Sequence, residues 1–152
     1  MQQRHLALAL ALALLLCTSR VWAQFAKPET AVRYRQSALY VMGNLMQRIA
    51  AQLDYSRPNL ETIRTSAALL DVLKTVPFEA FVEGTLDVGD TAAKPEIWTE
   101  PERFKKLTVE MQDRVASLND AARSGDVAAI RAAFGEAGKA CKSCHDDFRK
   151  KR

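Results

Sequence analysis

Apolar residues follow two different patterns along this chain. Residues 6–16 form an almost unbroken Leu/Ala run, whereas from residue 28 onward apolar positions recur every three to four residues, the period of one helix face. Strand-like alternation is absent, and Ala, Leu, Glu, Lys, Arg and Gln, all good helix formers, fill the periodic stretches. The pattern predicts four helices. The first covers residues 28–52, with Pro28 and Glu29 suited to its opening turn and Val32, Leu39, Met42, Leu45 or Met46, and Ile49 at helical spacing. The second covers residues 59–75, after the Tyr55-Ser56-Arg57-Pro58 turn; Ile63, Ala67, Leu70 and Leu73 form its stripe, and Pro77 stops it. The third begins at Thr99-Glu100-Pro101-Glu102, where Thr99 and Glu102 have capping-box spacing, and buries Phe104, Leu107, Met111, Val115 and Leu118. The fourth follows Ser124-Gly125, takes Asp126 as its N-cap and runs to residue 150. Ile130, Phe134, Ala137, Cys141, Cys144, His145 and Phe148 share its broad inner face. Residues 76–100, with Pro77, Gly84, Gly89 and Pro95, form a long irregular link anchored by Phe78, Phe81, Ile97 and Trp98. A loop of that length is uncommon unless it covers something. Four helices with two short links and one long link predict an all-α, antiparallel four-helix bundle.

The first apolar run changes how the rest is counted. A short charged start with Arg4 and His5, the Leu/Ala core and the end Val21-Trp22-Ala23 read as a secretory signal peptide over residues 1–23, cleaved before Gln24. The run is short for a bilayer span, which needs roughly 20 residues. A retained anchor and a lipoprotein signal ending at Cys17 are the alternatives, and Leu16 is a poor fit to the second. Residues 24–152 then form one domain, long enough for a real core. No second apolar segment follows, so no membrane association is expected. The whole chain carries a formal charge of +4, and the leader holds Arg4 and Arg20 with no acid. The remainder is close to neutral, with a basic end at Arg149-Lys150-Lys151-Arg152. Four residues at one end are not the basic face that nucleic-acid binding wants.

Removing the leader also takes away Cys17 and His5. The cysteine and histidine that remain are Cys141, Cys144 and His145, all in Cys141-Lys142-Ser143-Cys144-His145. This CxxCH run is the signature of covalent c-type haem attachment. Two thiols add to the haem vinyl groups, and the adjacent imidazole reaches the iron. A Cys/His zinc site wants four ligands, and only three exist. A CxxC redox dithiol belongs at a helix start after a strand, whereas this motif lies late in a helix. On the fourth helix Cys141 and His145 are four apart and stack on one face, with Cys144 beside them. His145 is expected to ligate the iron, and no second histidine exists for the opposite side. Met42, Met46 and Met111 are the methionines left there, each at a core-like helical position where packing is the usual role. A vacant sixth position makes a gas-binding site; a methionine there favours plain electron transfer. The pattern leaves both open. Enzyme function lacks support, because no acid–base pair can be placed over the iron.

The chain resembles the cytochrome c-prime family over nearly all of residues 24–152. The resemblance rests on Gln24-Phe25-Ala26-Lys27-Pro28-Glu29, Tyr34-Arg35-Gln36-Ser37-Ala38-Leu39, Pro95-Glu96-Ile97-Trp98 and Ala132-Ala133-Phe134-Gly135. It extends through Cys141-Lys142-Ser143-Cys144-His145-Asp146-Asp147-Phe148-Arg149-Lys150-Lys151. CxxCH so near the end, with Arg149 four residues after His145, is far more specific than CxxCH alone. The resemblance implies a left-turning bundle holding one haem c through Cys141 and Cys144, with His145 as axial ligand. It further implies a periplasmic, high-spin, five-coordinate iron that binds nitric oxide and carbon monoxide, and a homodimer through the first two helices. Electrons would pass to or from a redox partner that the sequence does not identify. Leu39 matches the apolar residue that covers the open side. Low-spin relatives of the c556 type have methionine at that position; here Met42, one turn on, is the six-coordinate alternative. Arg35 and Gln36 match positions near the haem propionates, Arg149 lies beside the proximal face, and Phe148 stands where many relatives have tyrosine. Bound nitric oxide is expected to weaken the link to His145. Val41, Leu45 and Leu69 are candidates for the dimer patch.

Overall fold

The computed structural model describes residues 25–151; the predicted signal peptide lies outside them. Helix α1 spans Pro28–Leu53 and α2 spans Leu60–Leu73. After a 3-10 turn at Val76–Ala80 comes an irregular stretch, then the four-residue α3, Glu96–Thr99, followed by α4, Pro101–Ser124, and α5, Val127–Phe148. The four long helices form the predicted bundle. Close packing joins α1 to α2, α2 to α4, and α4 to α5; α1 and α5 are not among the close pairs.

The ends of these helices follow local chemistry. Asn59 accepts a hydrogen bond from Thr62 N at 3.0 Å and caps α2. Asp126 does the same for α5, accepting from Ala128 N at 2.8 Å and Ala129 N at 3.3 Å. Gly125 ends α4 at φ 76°, and a Cβ there would lie 3.1 Å from an Arg64 nitrogen. The left-handed backbone is what favours glycine there, since the arginine tip can give way. Arg131 of α5 donates to the Leu53 carbonyl, satisfying an orphan acceptor at the end of α1.

Two predicted boundaries move. Thr99 is not the cap of the third long helix: it closes α3, its hydroxyl turns back to Pro95 O at 3.5 Å, and Glu100 stands at the N-cap without a side-chain bond. Helix α5 stops at Phe148, and Arg149 is extended at φ −117°, ψ 129°. The cause is tertiary. Ala93 and Arg149 form an isolated antiparallel bridge, with Lys94 N donating to Phe148 O at 3.0 Å and Lys150 N to Ala92 O at 2.8 Å.

The main core combines Met42, Leu45, Ile49 and Leu53 of α1 with Ile63, Ala67 and Leu70 of α2. Met111, Val115, Leu118 and Ala122 of α4 and Ile130, Ala137 and Ala140 of α5 complete it. A second, smaller cluster lies at the end of the bundle where the long crossover meets the C-terminus. Ala93, Ile97 and Phe148 are buried there, with Phe81, Trp98, Phe104, Leu107 and Cys144 packed around them.

Candidate haem-binding site

Between the two clusters lies the CxxCH segment. Cys141 borders the main core, and Cys144 borders the smaller cluster. Both thiols are free and half-buried. Burial raises the Cys141 pKa, against a weaker opposing backbone hydrogen bond. Cys144 is pushed up to about 11, by burial first and then by the neighbouring Cys141 and Asp147. Thiols that stay protonated at neutral pH are the opposite of a redox CxxC pair, whose attacking thiol is acidified. His145, expected on the inner face, is exposed, because the turn that carries it sits at the rim of the bundle; desolvation and then the Arg149 charge lower its pKa, and Asp146 opposes them. A neutral imidazole is the form that ligates a metal. On the outer side of α5, Lys142 pairs with Asp146.

A chain of aromatic rings closes this end of the molecule. Phe81 lies 5.1 Å from Phe104, edge-on, and Phe104 lies 5.2 Å from Phe148 in the same geometry. Phe78 stacks on Phe81 at 6.1 Å. Such pairs suit an apolar wall. Phe148 packs here as a core aromatic, 3 % exposed. Trp98 borders the cluster, and its buried indole N–H has no acceptor.

Arg35 sits on the α1 side of the crossover and is 2 % exposed. Its Nη1 donates to Ala80 O at 3.0 Å and Thr85 Oγ1 at 2.7 Å; its Nη2 donates to Thr85 O and Thr91 Oγ1, each at 3.0 Å. The guanidinium also lies 4.6 Å from the centre of the Phe81 ring and 6.0 Å from that of Trp98. Burial lowers its pKa, yet an arginine keeps its charge. Gln36 Nε2 donates to Asp90 O at 2.8 Å. Both residues expected near propionates thus hold the crossover. A carboxylate fork on Arg35 would have to displace Thr85 or Thr91. Leu39, one turn beyond Arg35, is partly buried at the edge of the main core, whereas Met42 is 6 % exposed inside it.

Three partners in this site carry no periodic signal in the sequence. Thr85 and Thr91, which bind Arg35, stand in irregular backbone. Lys94 has one legible cue: it precedes Pro95, and a residue before proline is driven to extended backbone, the conformation a bridge needs.

The family model for cytochrome c' matches residues 30–149. A cytochrome c' from Alcaligenes xylosoxydans xylosoxydans is 42% identical over 130 residues, covering 85% of this chain and 100% of the relative. This chain belongs to the cytochrome c' family. The crystal structure of cytochrome c' from Rubrivivax gelatinosus has a TM-score of 0.80 and 38% identity, covering 84% of this chain and all of that one. The nitric oxide complex of a leucine-to-alanine mutant of the Alcaligenes xylosoxidans protein has a TM-score of 0.78 and 39% identity, covering 85% and 100%. Family membership makes the chain an electron-transfer and gas-binding haem protein, not a catalytic enzyme. Its relatives are periplasmic, often dimeric, and carry haem c covalently.

The residues present fit that cofactor. Two free, half-buried thiols and an exposed imidazole with a lowered pKa follow one another on α5, with Cys144 against the aromatic wall and Cys141 against the main core. The unpartnered Trp98 N–H adds a buried donor at the same wall.

Proposed function

We propose that the protein is a periplasmic cytochrome with one haem c, an open high-spin iron that binds nitric oxide and carbon monoxide, and a capacity for one-electron transfer. Cys141 and Cys144 would hold the group by thioether bonds and His145 would ligate the iron; Phe148 and the aromatic wall would shield its edge. Bound there, haem supplies an iron that changes oxidation state and takes up small diatomics. Leu39 would cover the open side with an uncharged side chain that offers neither a ligand nor a hydrogen-bond donor. It excludes water and discriminates against oxygen, whose partly charged adduct needs polar stabilisation. The observation that carries the open-site reading is the contrast on α1: Leu39 sits at the rim of the core, while Met42 is packed within it. A methionine committed to core packing is a poor sixth ligand. Arg35 and Gln36 would act on the haem edge through the crossover they hold, and Arg149 beside the proximal face.

Dimerisation through α1 and α2 is part of the same proposal. Val41, Leu69 and Val72 are exposed, the last at 72 %, along with Tyr34 and Tyr40. A groove of about 520 Å³ runs along this side between Thr30 and Val41 and reaches Leu73. Leu45, a sequence candidate for the same patch, is 5 % exposed in the core and drops out. Among the described residues no helix is long and apolar enough to cross a membrane.

Intact-protein mass spectrometry under denaturing conditions tests attachment. The exported protein is expected to be heavier by one haem, Cys141→Ala plus Cys144→Ala to lose it, and carbon monoxide to shift the Soret band of the reduced protein. A chain that releases its haem on denaturation, or a reduced form blind to carbon monoxide, contradicts the proposal.

A further inference from the structure

The last four carbonyls of an α-helix have no partner within it. In α5 these belong to His145, Asp146, Asp147 and Phe148. Arg149 N donates to the first at 3.1 Å. One residue of the crossover satisfies the other three: Lys94 Nζ donates to Asp146 O and Asp147 O, each at 2.9 Å, and Lys94 N to Phe148 O at 3.0 Å. The ammonium thus also stands at the negative end of the helix dipole. Lys150 N closes the other side of the bridge on Ala92 O at 2.8 Å. The clasp is braced outside by Arg103, which bonds Asp147 at 2.7 Å and Glu100 at 3.0 Å. Inside, Thr91 belongs at once to the crossover's grip on Arg35 and, through its bond with Ala93 N at 3.2 Å, to the strand that meets Arg149.

From this geometry we infer that Lys94 is a positioning residue for the proximal side of the haem. It ends the helix one residue before Arg149, turns Arg149 into extended backbone, and fixes the turn that carries His145. Resting as it does on the haem reading above, the inference adds a residue that touches neither thiol nor imidazole. Lys94 sets how firmly His145 is held and where Arg149 stands. Lys94→Met keeps the alkyl stem and the main-chain bond to Phe148 but removes both ammonium bonds; Lys94→Arg keeps a cation and its donors.

The test uses the full holoprotein. In the ferrous wild type and in Lys94→Met, the iron–histidine stretching band is recorded by resonance Raman, and loss of His145 on addition of nitric oxide is followed by stopped-flow absorption. The expected result is a shifted or broadened band and a loss of His145 several-fold faster in Lys94→Met, with Lys94→Arg close to wild type. A band and rate in Lys94→Met identical to wild type would overturn the inference. Should that variant not accumulate, native-state hydrogen exchange of the wild type decides. The Lys94 and Lys150 amides are expected to exchange together with the last turn of α5, and exchange as fast as in an open loop contradicts the clasp. A low-spin wild-type iron would instead remove the gas-binding reading while leaving the exchange result valid.

Discussion

Arg35 is the residue on which the crossover hangs. Two threonines and two main-chain carbonyls converge on it from segments 45 to 56 residues away in sequence, together with the rings of Phe81 and Trp98. Hydrogen bonds to a charged group are worth about 1.5–3 kcal/mol, and removing the cation also strands buried acceptors. Arg35→Met is therefore expected to destabilise the holoprotein by about 3 kcal/mol, read as a lowered urea midpoint. Leu39 contributes differently. It touches the rim of the core and should cost little stability when shortened, but on the proposed reading it would limit access to the iron. Leu39→Ala is expected to speed carbon monoxide association at least tenfold, a barrier reduced by about 1.4 kcal/mol, in flash photolysis. A rate equal to wild type would place the barrier elsewhere. At this scale the sequence was informative for residues whose chemistry is rare. If the expected signal peptide is set aside, Cys141, Cys144 and His145 stand out because no other cysteine or histidine remains in the sequence. Arg35 was legible only as one member of a familiar string, and its partners Thr85 and Thr91 were invisible, since nothing in a local pattern tells which loop folds over which helix.

The helices obey local rules, and their ends can be tested one by one. Asp126 accepts from two amides at the start of α5; Asp126→Ala is expected to cost about 1 kcal/mol without altering the haem spectrum. Calorimetry checks the first half of that statement and absorption the second. Helical periodicity and caps recovered α1, α2 and α5 to within about two residues at their starts. Two boundaries were lost, each to tertiary structure. Thr99 and Glu102 have the spacing of a capping box, but α3 occupies Thr99 and leaves its hydroxyl facing backward. Periodicity also carried the last helix past Phe148, because nothing in residues 149–150 disfavours helix; the chain leaves it there because Ala92–Lys94 is waiting to pair. The crossover, read as a covering loop, turns out to connect α1 at Arg35 to the end of α5 at Lys94.

The molecule as a whole has one face left over. Val72 and Tyr40 are largely exposed, at 72 % and 74 %, on the side formed by α1 and α2. Val72→Glu, a change that should cost the monomer little, is expected to shift sedimentation from dimer toward monomer at micromolar concentration; an unchanged dimer would move the interface to another face. Leu39 and the CxxCH segment lie on α1 and α5, which are not among the closely packed helix pairs. On the proposed reading Leu39 would cover one side of the haem and His145 would ligate the iron from the other, and the central claim is that Leu39 leaves the iron open. The measurement that tests it most directly is the electron paramagnetic resonance and absorption spectrum of the purified ferric holoprotein at neutral pH. A high-spin signal with no sulfur-to-iron charge-transfer band is the predicted result. A low-spin signal accompanied by that band would mean that a methionine, Met42 first among them, fills the sixth position, and would contradict the account.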